Sequence, residues 1–317
     1  FRQKDSLCIV QFFAEKKEEQ GEILTAFLSL LSNFHTILSF NGLGFDLPFL
    51  KTKCHLLHIE ENFDAFAYID IFKSVSRFKN LLQLPNYKQK TLEQFLEIDR
   101  DDTKSGGKLI ALYQSYEKGN HEDALLSTLL LHNHDDVLNM LPLIQLMAYE
   151  KFFSGNYNII NIKEHDYTDF SGIPAKELLC SGEIKFALPK RISAKSDLAF
   201  LLAEEDHFTL SIPFYSGVLK YFYPDYKNYY YLPKEDIAVH KSVAGFVDKN
   251  FRTPAKASTC YTKKEGLFLP QPKDLFSPSF KKEYKDKTTF FLYEEKILTT
   301  DTKERQSYIH QLLQLFP

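Results

Sequence analysis

The chain has 317 residues, of which 44% are hydrophobic and 26% are charged, and its formal net charge is -3. This composition is typical of a globular protein with one large or two ordinary domains. It excludes a membrane-spanning protein, because no window approaches the roughly 18 uninterrupted apolar residues that a membrane helix needs. The beginning lacks the basic and then apolar pattern of a signal peptide, so we expect a cytoplasmic protein.

Charge and tyrosine are distributed unevenly along the chain. Residues 1–150 carry 15 Lys and Arg against 21 Asp and Glu, whereas the remaining residues carry 24 against 21 and hold 13 of the 18 Tyr. An acidic first half and a mildly basic, Tyr-rich second half suit a carboxylate site beside a surface that holds a polyanion.

The first half begins with alternating strand and helix patterns. Strand formers predict a strand over Ser6–Phe13, and helical spacing with acidic residues in the first turn predicts a helix over Glu18–Asn33. The short apolar run Thr36–Phe40 is typical of a buried strand. After the turn at Asn41-Gly42, the next helix is predicted to start with Asp46 as its N-cap.

The strand and helix alternation continues to the middle of the chain. Phe66–Phe72 is strand-like, and the strand is predicted to end on Asp70. Short helices are predicted around Phe72–Leu82 and Thr91–Leu96. A long helical stretch, Glu122–Phe153, is predicted to kink at a proline. This order predicts an α/β domain over residues 1–153, with a mixed sheet flanked by helices.

The second half has a different texture of short β-like runs rich in tyrosine. One helix is predicted over Lys234–Val247, a hairpin closes at Gly266, and an amphipathic helix covers Lys303–Phe316. We therefore predict a second, α+β domain over residues 154–317.

Three acidic positions in the first half fall at predicted element ends or on a helix face. Asp46 and Asp70 follow strands whose carboxyl ends collect ligands in open α/β sheets. His132 and Asp136 are four residues apart and share one helix face, an arrangement that suits proton transfer or metal binding. Each also has a plainer interpretation: Asp46 or Asp70 can simply cap a helix, and the sequence HNHDD can be a solvated patch.

Together these segments resemble a known family. Asn41 to Asp46, with the pattern N-G-x-x-F-D, looks like the second motif of the DEDD 3′-5′ exonucleases, and His132 to Asp136 looks like the third. The segments FDLPFL, YIDIF, TLEQFLEIDRDD, Y-x-x-Y-x-x-G and HNHDDVL occur in the order found in the bacterial YprB-type ribonuclease H-like domain. The resemblance covers roughly residues 1–150 and implies a ribonuclease H-like fold.

The resemblance also implies an activity, a cofactor and a set of site residues. It implies a metal-dependent nuclease that removes nucleotides from the 3′ end of single-stranded DNA or RNA, with two Mg²⁺ or Mn²⁺ ions. Asp46, Asp136 and the weaker candidate Asp70 would be metal ligands. Asp46 and Asp136 would be catalytic together with His132, which would position or deprotonate the attacking water. Residues of the same motifs would contact nucleic acid: Asn41, Phe45 and Asn133.

One motif of that family is not found in the sequence. The Asp-x-Glu pair that its first strand carries does not occur in these 317 residues. We expect the N-terminal strands with this pair to precede Phe1. The alternative is a catalytically inactive nucleic-acid-binding or scaffold protein that keeps the fold. Without the Asp-x-Glu pair, these 317 residues alone would be inactive in either case.

The Tyr-rich run KYFYPDYKNYYYLP alternates aromatic residues with lysines. Exposed aromatic rings beside cations can stack on bases while the cations hold phosphates, which makes Lys220 and Lys227 candidate nucleic-acid-binding residues. The alternative is that these tyrosines pack in a sheet with their hydroxyls at the surface.

Overall fold

A computed structural model describes residues 2–3, 6–101, 106–119, 121–168, 171–295 and 302–317. The chain divides into two compact units, Phe1–Glu150 and Lys151–Pro317. Each unit has buried hydrophobic clusters of its own, and the first is organised around Leu24, Cys54 and Phe63.

The first unit combines short strands with many helices. Its strands are β1 (Arg2–Gln3), β2 (Ser6–Leu7), β3 (Thr36–Ser39) and β4 (Ala67–Asp70). Its helices are α1 (Gln20–Leu31), α2 (Asp46–Leu56), α3 (Ile71–Val75), α4 (Lys79–Leu82), α5 (Gln89–Phe95), α6 (Gly106–Glu117), α7 (Asp123–Leu138) and α8 (Met140–Leu143). Helix α9 (Met147–Phe153) starts in this unit and ends in the second.

Strands β3 and β4 are parallel neighbours, and their carboxyl ends lie side by side. Their register aligns Thr36 with Ala67 and Ser39 with Asp70. Helices α1 and α2 pack through the apolar cluster around Leu24 and Cys54, which also holds Ile37 of β3. The two strands thus lie where the sequence predicts strands, and their parallel pairing brings the turn after β3 next to the end of β4.

The strand predicted over Ser6–Phe13 is wrong for most of its length. Only Ser6–Leu7 is a strand, in a small antiparallel hairpin with β1. Phe12 and Phe13 instead pack edge-on against aromatic rings of two helices, Phe12 on Phe27 at 5.9 Å and Phe13 on Tyr116 at 5.5 Å. These partly buried side chains contact helices, which a strand-like composition does not reveal.

The second unit is mainly antiparallel β-structure with a helix at its end. Its strands are β5 (Tyr157–Thr168), β6 (Pro174–Lys195), β7 (Phe200–Pro213), β8 (Tyr215–Phe222), β9 (Tyr229–Leu232), β10 (Ile237–His240), β11 (Thr253–Pro254), β12 (Tyr261–Gln271) and β13 (Thr289–Leu292). Its helices are the short α10 (Lys241–Ala244) and the terminal α11 (Thr302–Leu313).

These strands form three antiparallel sheets in the described residues, with the orders β5-β6-β7, β13-β12-β8 and β10-β9-β11. Helix α11 follows the prediction for the end of the chain. It contacts the sheets through Tyr308, whose hydroxyl donates to the carbonyl of Pro270 at 2.9 Å and whose ring meets Phe291 at 5.3 Å. Tyr308 is fully buried, so these polar and aromatic contacts help to fix the helix in place.

Two predictions for the second unit are wrong. The helix predicted over Lys234–Val247 is strand β10 followed by the single-turn α10, because pairing with the tyrosines of β9 overrides local helix preference. Gly266 does not close a hairpin but lies within β12. A Cβ at Gly266 would lie 2.6 Å from Leu292 Cδ1, so the glycine admits close packing of the neighbouring strand.

Candidate active site

The turn after β3 determines where Asp46 lies. Asn41 adopts a left-handed backbone with φ of 60°, and its carbonyl accepts hydrogen bonds from the N–H groups of Gly44 at 3.1 Å and Phe45 at 3.0 Å. A Cβ at Gly42 would lie 2.5 Å from the Cβ of Ser39, so only glycine fits the close approach at this position. The turn leads directly into α2, whose first residue is Asp46.

Asp70 holds this turn through hydrogen bonds to its carboxylate. Its Oδ1 accepts hydrogen bonds from the backbone N–H groups of Asn41 at 2.9 Å and Lys73 at 3.2 Å, and its Oδ2 accepts from Leu43 at 3.1 Å. The side chain is buried, with 7% of its surface exposed. Asp70 therefore caps α3 and connects it to the Asn41 turn, and both of its carboxylate oxygens are engaged by backbone amides.

Asp46 is not the N-cap of α2, contrary to the prediction. Phe45 holds that position without a side-chain cap, and Asp46 begins the helix and lines a cleft. Removal of water by the surrounding protein raises the pKa of the Asp46 carboxyl, and the negative charges of Asp70 and Asp136 add to the rise. A hydrogen bond with its own backbone N–H lowers the pKa, but it does not reverse the shift.

His132 and Asp136 lie one turn apart on α7, as their spacing predicts. The Nε2 atom of His132 is 3.1 Å from Oδ2 of Asp136. Its Nδ1 atom is 3.1 Å from a guanidinium nitrogen of Arg100, and a guanidinium can only donate. The ring proton therefore belongs on Nε2, and acting as a proton acceptor would require His132 to give up its contact with Arg100.

Sequence reasoning missed Glu93 and Arg100, which complete this cluster. Arg100 donates to Oε1 and Oε2 of Glu93 at 3.0 and 3.1 Å and to Oδ1 of Asp136 at 2.5 Å. The sequence signal was the family segment TLEQFLEIDRDD, which contains both residues but does not by itself indicate a role for either. Gln89 adds a further contact by donating to the backbone carbonyl of Asp136 at 2.8 Å.

A cleft of about 770 Å³ brings Asp46 and Asp136 to the same surface. Its lining combines two carboxylates, aromatic rings, lysines and amides: Phe40, Asn41, Asp46, Phe72, Lys79, Leu84, Pro85, Asn86, Tyr87, Lys88, Gln89 and Asp136. Lys79 also lies over the ring of Tyr87, with 5.7 Å between Nζ and the ring centroid. Acidic and basic side chains thus share one opening of the first unit.

The predicted nucleic-acid contacts of the first unit are divided between two clefts. Asn41 lines the cleft of Asp46 and Asp136, whereas Asn133 and His132 line a second cleft of about 450 Å³. The side chain of Asn133 accepts a hydrogen bond from Gln11 at 3.0 Å. The ring of Phe45 is 67% exposed beside Asp46.

In the second unit, the two predicted lysines differ in their surroundings. Nζ of Lys220 is 2.8 Å from Glu283 and 4.9 Å from the ring centroid of Tyr261, so its charge is already compensated. Lys227 is exposed in a short 3-10 turn, Tyr226–Asn228. The tyrosines around them largely pack against one another, as the stacked pair Tyr223 and Tyr229 does at 4.6 Å.

The carboxylates fit part of a divalent-metal site. Asp46 and Asp136 supply the oxygen donors that hard cations such as Mg²⁺ and Mn²⁺ bind, and they interact through their charges. Within the part of the chain that the structure describes, no group of three or more His, Cys, Asp or Glu side chains is arranged to hold a metal ion. The described residues therefore offer two ligands and not a complete coordination sphere.

Residues 1–148 match the model of a family described as the RNase_H superfamily. No curated protein and no solved structure gave a match. The family match supports an RNase H-like domain in this part of the chain and is compatible with a nucleic-acid hydrolase, as the motifs predicted. None of the helices in the described residues is both long and apolar enough to cross a membrane.

Proposed function

We propose that the protein is a divalent-metal-dependent nuclease, of the type that removes nucleotides from the 3′ end of single-stranded DNA or RNA. The observation that carries this proposal is the shared cleft of Asp46 and Asp136. The two carboxylates repel each other, and a merely structural role does not require them to share one opening. A bound divalent cation would offset that repulsion.

Within this proposal, Asp46 and Asp136 hold the metal ions, for which Mg²⁺ and Mn²⁺ are the candidates. Such ions, when bound, activate water and neutralise charge on a phosphodiester. Asp70 acts as a positioning residue, because its three backbone hydrogen bonds fix the turn that carries Asp46. His132 donates to Asp136 and orients that carboxylate, and it accepts a proton only when Arg100 releases it.

Other residues that line the cleft suit a nucleic-acid strand. Lys79 and Lys88 are exposed cations that can hold phosphates, and the partly exposed rings of Phe40 and Phe72 line the same cleft. Single-stranded nucleic acid is bound by this combination of positive charge and aromatic stacking. The cleft therefore contains both the groups for binding a strand and the carboxylates for hydrolysing it.

The proposal is tested with the full-length protein, end-labelled single-stranded DNA and RNA, and Mg²⁺ or Mn²⁺. Asp136→Asn should lower the rate of digestion by more than about 100-fold, beyond the 10–100-fold cost that is usual for an outer-shell group. Label at the 5′ end should give a ladder of shortened products, because removal begins at the 3′ end.

The matched control is Asp64→Asn, the same chemical change at an aspartate of the same unit. Asp64 pairs with Lys51 at 2.7 Å, and its side chain is 90% exposed. This variant should digest nucleic acid at the wild-type rate. Digestion that persists in Asp136→Asn would remove Asp136 from the site.

A non-catalytic nucleic-acid-binding protein is the second candidate function. This candidate is favoured because both oxygens of Asp136 already have partners, Arg100 and His132. Wild-type protein that binds single strands but digests neither DNA nor RNA with either metal would support this alternative. The cleft of Asp46 and Asp136 would then be a binding surface without hydrolytic activity.

For the second unit, we propose that Lys227 contributes more to nucleic-acid binding than Lys220. Lys220 is paired with Glu283, whereas Lys227 is exposed. Lys227→Glu should weaken binding of single strands and reduce its dependence on salt, because fewer phosphates are neutralised. Binding is measured by fluorescence anisotropy at several salt concentrations. Equal binding by wild type and Lys227→Glu would favour the alternative, in which the Tyr-rich run only packs within the second unit.

A further inference from the structure

Arg100 forms the centre of a compact ionic cluster at the candidate site. One terminal nitrogen contacts both oxygens of Glu93 at 3.0 and 3.1 Å, and the other contacts Oδ1 of Asp136 at 2.5 Å and Nδ1 of His132 at 3.1 Å. One guanidinium thus joins two carboxylates and one imidazole, and α5 and α7 contribute these three partners.

Because this cluster is buried, its charges interact strongly. The side chains of Arg100 and Glu93 are only 8% and 2% exposed, whereas Asp136 is 36% exposed at the cleft. Charges that water screens poorly interact over several ångströms, and an unpaired buried carboxylate is costly. Burial lowers the pKa of the Arg100 guanidinium, but Asp136 and Glu93 raise it by more, so the group stays charged.

We propose that Arg100 is a positioning residue that opposes metal binding while it fixes the geometry of the metal ligand. Arg100 holds Asp136 and His132 in one arrangement, and its positive charge repels a divalent cation that approaches Asp136. This inference rests on the proposed function, since it takes Asp136 as a ligand for Mg²⁺ or Mn²⁺. Glu93 anchors Arg100 from the buried side.

The proposal predicts that metal affinity and turnover change in opposite directions. Loss of the guanidinium leaves the charges of Glu93 and Asp136 uncompensated, so the site attracts a divalent cation more strongly. The same loss frees the side chains of Asp136 and His132 to move, so the nuclease turns over more slowly. If Arg100 had a purely structural role, its loss would lower stability and activity without strengthening metal binding.

Four forms of the full-length protein test this: wild type, Arg100→Met, Arg100→Lys and the double variant Glu93→Gln/Arg100→Met. Binding of Mn²⁺ is measured without nucleic acid, by calorimetry and by the loss of the free-ion electron paramagnetic resonance signal. Nuclease kcat and KM are measured separately at saturating Mn²⁺. The metal measurement does not depend on activity.

Arg100→Met should bind Mn²⁺ at least about tenfold more tightly, as expected for removal of a poorly screened positive charge, and its kcat should fall. Arg100→Lys keeps the charge but cannot reproduce the planar two-sided contact. It should bind Mn²⁺ within about threefold of wild type and still have a lower kcat. The double variant should recover part of the thermal stability that Arg100→Met loses, because it removes the buried unpaired charge.

Unchanged or weaker Mn²⁺ binding by Arg100→Met, or wild-type kcat in Arg100→Lys, would overturn the inference. If Arg100→Met does not fold, the double variant should still bind Mn²⁺ more tightly than wild type, because it lacks the guanidinium beside Asp136, and Arg100→Lys should still have a lower kcat. Adding Asp136→Asn to Arg100→Met should abolish the gain in affinity, and a gain that persists would overturn the role of Asp136 in it.

The outcome for Arg100 is separable from the outcome for the proposed function. Tighter Mn²⁺ binding that requires Asp136, in a protein that digests no nucleic acid, would support the inference and reject the nuclease. Digestion that Asp136→Asn abolishes, together with unchanged Mn²⁺ affinity in Arg100→Met, would support the nuclease and reject the inference.

Discussion

Asp46 in the first unit and Asp236 in the second have opposite electrostatic surroundings. Removal of water and the charges of Asp70 and Asp136 raise the pKa of Asp46. Asp236 receives hydrogen bonds from Lys263 and from the Tyr231 and Tyr261 hydroxyls, and these partners hold its pKa well below the usual range. Both residues follow a strand and a tight turn, yet only Asp236 is neutralised by its neighbours.

The comparison separates a carboxylate that stabilises the fold from one that does not. Asp236 adopts a left-handed backbone with φ of 54°, and its N–H donates to the carbonyl of Leu232 at 2.8 Å, so it closes the turn between β9 and β10. Asp46 has no cation beside it among the contacts of the described residues. A carboxylate left in this state is a candidate for ligand binding.

Metal binding should give the largest difference between the two aspartates. Mn²⁺ at about 100 times its dissociation constant should stabilise the wild-type protein by about 2.7 kcal/mol. Asp46→Asn should lose this stabilisation, whereas Asp236→Asn should keep it. Thermal unfolding with Mn²⁺ and with EDTA measures both. Equal stabilisation of Asp46→Asn and wild type would exclude Asp46 as a ligand.

Asp236→Asn should lower the free energy of unfolding of the second unit by about 1 kcal/mol, the scale for hydrogen bonds to a charged group that is partly exposed. Asparagine tolerates the left-handed backbone, so the change tests the charge and not the turn. The control is Asp166→Asn, since the Asp166 side chain is 82% exposed and 3.7 Å from Lys176. Urea unfolding should give the control the same free energy of unfolding as wild type. An equal loss of unfolding free energy in both variants would refute a special role for Asp236.

The stability difference between wild type and Asp236→Asn should depend on pH. Because the pKa of Asp236 is lowered in the folded protein, its contribution is complete above the ordinary carboxyl pKa of about 3.9 and is lost as pH falls below that value. The difference should be constant from pH 7 to pH 5 and should narrow by pH 3. A constant difference down to pH 3, measured by urea unfolding at each pH, would contradict this assignment.

The smallest expected effect has the opposite sign. In EDTA at neutral pH, Asp46→Asn should raise the free energy of unfolding of the first unit by about 0.3 kcal/mol, the scale of interactions between exposed charges. The change relieves repulsion from Asp70 and Asp136. Asp64→Asn serves as the control, since it breaks a pair with Lys51 and should not stabilise. A loss of stability in Asp46→Asn would show that its charge supports the fold.

Local patterns predicted much of the first unit. The apolar run at Thr36–Ser39, the Asn41-Gly42 turn and the helix from Asp46 follow from residues that are adjacent in sequence. The i,i+4 spacing of His132 and Asp136 likewise places them on one helix face. These features depend on backbone geometry within a few residues, which is why composition and spacing were sufficient.

Other features depended on partners distant in sequence. The helix predicted over Lys234–Val247 became strand β10 because the tyrosines of β9 pair with it. The ionic cluster needs Arg100, which follows α5, to meet Asp136 on α7, and no local pattern encodes that contact. Long-range pairing decides such cases because local preferences differ by only about 1 kcal/mol.

The sequence by itself determined the turn that presents Asp46, the helix face that carries His132 and Asp136, and the motifs of a ribonuclease H-like domain. Only the tertiary structure decided which charges and hydrogen-bond partners surround each carboxylate. It left Asp46 at a cleft where no cation among the described residues pairs with it. It gave both oxygens of Asp70 to backbone amides and set Arg100 against Asp136. Ionic interactions depend on separation and burial in three dimensions, and spacing along the chain specifies neither.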